Sequence, residues 1–217
     1  MGLIKKYFMP NDYVQSVFQI DIEKLANSGF KGIITDLDNT LVGWDVKTPT
    51  KEIQEWFKKA NDLGLTITIV SNNNEKRVSG FSKDLDVDFI FKARKPMGRA
   101  FKKAIQHMNI KPEETIVIGD QMLTDVLGGN NNGLYTIMVV NVKKTDGFLT
   151  RLNRIIERRL LNYFKRKGYI TWEENWLDET LKCIGCGAPL QSEDKNAPGY
   201  VPEHNLFRDD VICQRCF

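Results

Sequence analysis

From Gly32 onward the chain alternates short apolar runs with segments of helical periodicity, and this alternation limits the fold more than any other feature of the sequence. The stretches "GIITD" (32–36), "LTITIVS" (65–71), "FIFKA" (89–93), "TIVIGD" (115–120) and "LYTIMVV" (134–140) are short, apolar and rich in β-branched residues, and read as strands. "TPTKEIQEWFKKANDLG" (48–64) carries Ile53, Trp56, Phe57, Ala60 and Leu63 at helical spacing, behind a Thr-Pro start signal and ahead of a Gly64 stop. "EKRVSGFSKDL" (75–85), "MGRAFKKAIQHMN" (97–109) and "LTDVLGGNNNG" (123–133) read as shorter helices, and "FLTRLNRIIERRLLNYFKRK" (148–167) as a long one. Strands that alternate with helices form βαβ units, so the expected class is α/β, a parallel sheet flanked by helices with right-handed crossovers. The nearly continuous apolar character of the strands fits a sheet covered on both faces.

In an open parallel sheet, ligands bind beyond the carboxyl ends of the strands. The polar residues cluster at those ends. Asp36 and Asp38 follow the first run, Ser71 closes the second, Lys95 follows the third, and Asp120 and Asp125 follow the fourth. Each aspartate alone reads equally well as a helix cap or turn former. Their convergence from separate strands is what points to a site. Few other catalytic systems can be assembled, since the chain has two histidines, His107 and His204, and no G-x-S-x-G or Walker A sequence. His107 falls in a helix and reads as a surface residue.

The four stretches "DLDNT" (36–40), "IVSNN" (69–73), "ARKP" (93–96) and "IGDQMLTD" (118–125) resemble the four ordered motifs of the haloacid dehalogenase (HAD) superfamily of phosphotransferases. Residues 1 to about 172 resemble its YqeG-type branch, subfamily IIIA, which is related to a mitochondrial phosphatidylglycerophosphate phosphatase. The resemblance implies a HAD-like Rossmannoid domain that hydrolyses a phosphomonoester through an aspartyl-phosphate. It implies Asp36 as nucleophile and Asp38 as the acid that protonates the leaving alcohol and then the base that activates water. It implies that Ser71, Asn72 and Lys95 hold the phosphoryl group. Asp36, Asp120 and the Asp38 carbonyl would bind Mg²⁺, a hard ion that prefers oxygen, with Asp125 binding or orienting the metal's water shell or positioning Lys95. A HAD scaffold that binds without catalysing is the competing reading.

Only 34 residues (37–70) separate Asp36 from Ser71, and 23 (72–94) separate Ser71 from Lys95. Neither gap holds a cap domain, so the expected enzyme is capless. An open site suits a large substrate that supplies its own lid, such as a phospholipid headgroup, a phosphoprotein or a nucleic-acid end. Trp44 either contacts such a substrate or packs. The helix at 151–167 carries Arg151, Arg154, Arg158, Arg159, Lys165, Arg166 and Lys167 against one acid, Glu157. Its basic face is either a solvated covering face or a surface for anionic lipid or RNA. With the family resemblance, phosphatidylglycerophosphate is the favoured substrate. The formal net charge of +3 gives no global field toward nucleic acid. No apolar stretch reaches membrane-span length and no secretory signal opens the chain, so the cytoplasm, with a peripheral place on the inner membrane face, is the expected location.

All four cysteines lie in the last 35 residues, as Cys183-x2-Cys186 and Cys213-x2-Cys216. Two CxxC turns complete a tetrahedral thiolate site, so they read as structural Zn²⁺ ligands rather than disulfides. His204 lies between them but four thiolates leave it unneeded. The expected organisation is a phosphatase domain at 1–172, a linker at 173–182 and a zinc module at 183–217. The module resembles the N-terminal zinc segment of YqeH-type ribosome-assembly GTPases, which implies a ribosome or RNA contact as the alternative function. No nucleotide-binding loop is present, so GTPase activity does not carry over.

Overall fold

The computed structural model describes residues 2–139 and 148–169, and the side chains of 148–155 are excepted. The proposed zinc ligands, the linker, Arg151 and Arg154 lie outside these described residues. The chain divides into two units, residues 1–157 and 158–217.

Six parallel strands form one sheet in the order β1-β6-β5-β2-β3-β4: β1 Asp12–Val14, β2 Gly32–Thr35, β3 Thr66–Val70, β4 Asp88–Ile90, β5 Thr115–Gly119 and β6 Tyr135–Val139. The helices are α1 Leu3–Phe8, α2 Ile22–Asn27, α3 Lys51–Asp62, α4 Glu75–Ser82, α5 Arg99–Met108, α6 Leu127–Asn131 and α7 Phe148–Arg166. The five strands expected from the sequence are all present: β2, β3 and β5 are one or two residues shorter than expected, β4 starts one residue earlier and ends three earlier, and β6 starts one residue later. The sixth, β1, comes from an N-terminal segment with no strand signal. "DYV" is too short and too polar to show periodicity, and it joins the edge of the sheet through pairing with β6. The short helix expected after β5 begins as a π-helical turn, Met122–Val126, before α6.

Side-chain alternation splits the core into two layers. Ile33, Ile69, Ile116 and Ile118 face one way, into a cluster with Ile53, Trp56 and Phe57 of α3 and Val78 and Phe81 of α4. Ile34, Val70 and Val117 face the other way, onto Ala100, Phe101, Ala104 and Ile105 of α5. Burial on both faces is why these strands read as unbroken apolar runs. Thr50 caps α3, its Oγ1 accepting the Ile53 N–H at 3.3 Å, and Gly64 ends the segment with a φ of +80°.

The chain runs outward from β2 through β3 to β4, then crosses back to place β5 on the other side of β2. Loops leaving β2 and β5 therefore diverge, which opens a crevice at the carboxyl ends of the central strands. The segment between Asp36 and β3 holds a flap and α3. The segment between Ser71 and Lys95 holds only α4 and β4.

Candidate active site

Asp36 is the first residue past β2, and its N–H donates to the Ile118 carbonyl at 2.9 Å, which ties it to the neighbouring strand β5. Its carboxylate is buried and meets the Lys95 ammonium, with Nζ 2.8 Å from Oδ1. The same ammonium lies 2.6 Å from Asp125 Oδ1. Asp36, Asp120 and Asp125 are all buried and each offers a carboxylate oxygen within 4.8 Å of the others. Three buried carboxylates thus cluster, and two of them contact one buried ammonium.

Burial drives the Asp36 carboxyl up to about 7, against the lowering pull of Lys95 and with further raising from Asp125 and Asp120. For Lys95, burial pulls the other way, but Asp125 and Asp36 outweigh it and hold the ammonium charged. The cluster carries more negative charge than one ammonium balances. An oxygen-only donor set with surplus negative charge fits a hard divalent cation, and Asp36, Asp120 and Asp125 are the residues that would hold it.

The remaining contacts fix these groups in place. Thr40 Oγ1 donates to Asp120 Oδ1 at 3.2 Å. Asp125 Oδ2 accepts the Gln121 N–H and the Thr124 hydroxyl, each at 3.2 Å. Gly119 has no Cβ for a steric reason. A methyl there would lie 2.3 Å from both Cβ and Cγ of Asp125.

Asp38 stands apart from the cluster. Its Oδ1 accepts from Arg77 Nη2 at 2.8 Å and Nε at 3.0 Å, and its Oδ2 accepts from Asn73 Nδ2 at 2.9 Å. The Arg77 guanidinium rests over the Phe81 ring, 5.5 Å from its centroid. Ser71 is buried at the end of β3, where its Oγ accepts the Asn73 N–H at 3.2 Å. The Asn72 side chain bonds the Lys95 backbone twice, accepting its N–H at 2.7 Å and donating to its carbonyl at 3.4 Å. Trp44 in the flap is 55% exposed, and His107 is exposed on α5.

The structure therefore brings Asp36, Lys95, Asp120 and Asp125 into direct contact range and sets Asp38, Ser71 and Asn72 around them. Sequence reasoning missed Thr40, Asn73 and Arg77. Arg77 had a signal. It sits in the first turn of α4, which begins where β3 ends, so its side chain starts at the ligand-binding edge of the sheet.

The model of the haloacid dehalogenase-like hydrolase family matches residues 10–133. The chain is 56% identical over 172 residues to the "Probable phosphatase YqeG" of Bacillus subtilis (strain 168), a match that covers 79% of this chain and 100% of that one. It is 26% identical over 178 residues to the chloroplastic/mitochondrial phosphatidylglycerophosphate phosphatase 1 of Arabidopsis thaliana, covering 76% of this chain and 50% of that one. A further 39 residues are 54% identical to "Uncharacterized protein YqeH" of Bacillus subtilis (strain 168), covering 18% of this chain and 11% of that one. The chain belongs to the haloacid dehalogenase-like hydrolase family and is a phosphatase within it.

Proposed function

We propose that the chain is a Mg²⁺-dependent phosphomonoesterase working through an aspartyl-phosphate on Asp36. The observation that carries this reading is the Asp36 carboxylate held 2.8 Å from a buried ammonium and flanked by two further buried carboxylates. A bound Mg²⁺, held by Asp36, Asp120, Asp125 and the Asp38 carbonyl, would offset the repulsion between carboxylate and phosphate.

The chain's own groups carry the steps. Lys95 neutralises charge on the bound phosphoryl group and keeps Asp36 aimed. Ser71 receives phosphoryl oxygens at the end of β3, and Asn72 holds the Lys95 backbone in register. Asp36 attacks phosphorus as the bond to the leaving oxygen breaks, and Asp38 gives that oxygen its proton. Asp38 then takes a proton from water as it attacks phosphorus, which releases inorganic phosphate and restores Asp36. Arg77 and Asn73 orient Asp38 for both transfers.

For substrate we infer a lipid phosphate, phosphatidylglycerophosphate going to phosphatidylglycerol. The support is the short segments between Asp36, Ser71 and Lys95, which hold no cap domain, the exposed Trp44 in the segment after Asp38, and the name of the Arabidopsis relative. The chain spans half of that relative's length. Among the described residues no helix is long and apolar enough to cross a membrane, so lipid would be met from the surface. The test is hydrolysis of an aryl phosphate and of phosphatidylglycerophosphate, with Mg²⁺ or with chelator, by wild type and Asp36→Asn. Wild type at the level of the variant on both substrates would sink the proposal.

We further propose an added activity, a zinc module at 183–217 that contacts RNA or the ribosome, supported by its two Cys-x2-Cys pairs. Its ligands would be Cys183, Cys186, Cys213 and Cys216. Purified protein with a zinc content near zero removes this reading.

A further inference from the structure

Among the described residues, Glu157 is the one buried ionisable side chain to which the reaction above gives no part. It is 2% exposed, on α7. Taking a carboxylate out of water is costly unless its oxygens find donors. Its Oε1 accepts the Met122 N–H at 2.6 Å and lies 3.4 Å from the Leu123 N–H.

Those two N–H groups open the π-helical turn Met122–Val126. The first N–H groups of any helical turn have no partner within it, and Gln121 supplies no side-chain cap here. Glu157 does the work of a helix cap from 35 residues further along the chain. The turn it caps carries Asp125. A single π-helical turn does not propagate its own geometry as an α-helix does, so its position depends on outside anchors. Asp125 in turn holds Lys95 at 2.6 Å, and Lys95 lies 2.8 Å from Asp36. A continuous line of short contacts thus joins α7 to the reacting carboxylate.

We infer that Glu157 is a positioning residue of the active site, which fixes the Asp125–Lys95 pair by capping the turn that bears Asp125. The inference rests on the phosphatase reading of that site. Glu157 touches no reacting atom. It also lies beyond residues 10–133, the stretch that the family model matches. The functional site therefore extends past the shared domain into α7.

Three variants test it: Glu157→Ala removes the acceptor, Glu157→Gln keeps a neutral one, and Glu157→Asp keeps the charge but withdraws it by one methylene. Two quantities are read for each, hydrogen exchange at residues 121–126 by mass spectrometry, and kcat and KM on an aryl phosphate well below the melting temperature. Glu157→Ala is expected to speed exchange in that segment and to lower kcat by about 10- to 100-fold with KM nearly unchanged, since an ångström of misplacement costs on that order. Glu157→Gln is expected to keep slow exchange and most of kcat. If Glu157→Ala does not fold, Glu157→Asp decides by the same two readouts. Unchanged exchange at 121–126 in Ala or Asp overturns the inference, as does faster exchange with wild-type kcat. So does a Gln variant as impaired in kcat as Ala, because the acceptor would then not be what matters. Wild type with no activity would instead sink the phosphatase reading, while the exchange pattern still decides whether Glu157 holds the turn.

Discussion

Gly119→Ala replaces a hydrogen with a methyl group at the end of β5, and the structure says where the carbon goes. It would lie 2.3 Å from Asp125 Cβ, 2.3 Å from Asp125 Cγ and 2.5 Å from Oδ2. These are not the far atoms of a pliable side chain. Cβ is one bond from a backbone held by the π-helical turn, and Oδ2 is bonded to Gln121 N–H and Thr124. The backbone at Gly119 lies in a strand, a conformation alanine adopts without strain, so the whole effect is steric. Relief to an ordinary contact needs a displacement of roughly 1 Å or more, given that carbon atoms rest about 3.5 to 4.0 Å apart. Overpacking of this kind costs about 1–3 kcal/mol, or a fall in Tm of roughly 2–12 °C for a chain of this size. The catalytic loss should be larger in proportion, about 100-fold in kcat/KM, because Asp125 cannot move without taking its 2.6 Å contact from Lys95. The assay pairs thermal melts with aryl phosphate hydrolysis, and Gly80→Ala serves as control. Gly119→Ala with wild-type Tm and wild-type kcat/KM would refute the steric argument, and with it the claim that Asp125 must sit against the end of β5.

The control carries its own prediction. A Cβ at Gly80 meets nothing within 4 Å and the residue lies inside α4, so Gly80→Ala should stabilise by about 0.5–1 kcal/mol, read from the urea midpoint. Arg77→Ala removes both guanidinium contacts to Asp38. It should lower kcat by at least about tenfold, part of what a positioned acid–base contributes, and an unchanged kcat would show that Asn73 alone orients Asp38. In metal-free protein the folded state holds the Asp36 proton up to about 7, whereas the unfolded chain releases it near 3.8. The folded state therefore binds more protons between those values, and stability relative to Asp36→Asn should fall as pH rises across that window, by up to about 1.4 kcal/mol per pH unit. Urea melts with chelator at several pH values measure this, and parallel curves for the two proteins would contradict it.

The sheet was legible because its chemistry is repetitive. Burial on both faces forces apolar runs, and Ile33 and Ile34 read alike although they enter different layers of the core. β1 was not legible because three residues with an aspartate carry no period, and its place is set by the edge that β6 offers. The site followed the same division. Asp36, Lys95, Asp120 and Asp125 could be placed at one edge from strand ends alone. The partner of Asp38 was only half legible: its place in the first turn of α4 puts Arg77 at the same edge, but only the 2.8 Å contact shows which carboxylate it serves. Asn72 shows the other limit. The family resemblance gives it to the phosphoryl group, and only the structure shows that both ends of its amide bond the Lys95 backbone.

Asp36 and Asp38 are separated by one residue, and the fold gives them different surroundings. The strand ends at Thr35, and the chain then turns so that one carboxylate enters the buried cluster and the other reaches toward α4. Asp36 faces an ammonium and two carboxylates with 10% of its side chain exposed. Asp38 faces a guanidinium and an amide, both at the rim, with 18% exposed. A nucleophile gains from exclusion of water, which strengthens every charge interaction around it. A group that must give up one proton and take another needs an opening to the leaving group and to water. Pairs of carboxylates with separate tasks are recognised by such divergent environments. Had both been buried against Lys95, one ammonium would face four carboxylates and neither aspartate would reach a leaving group. Had both been exposed, neither would be held. The end of the strand produces the split, because side chains two residues apart share a face within a strand and need not do so once the ladder has ended at Thr35.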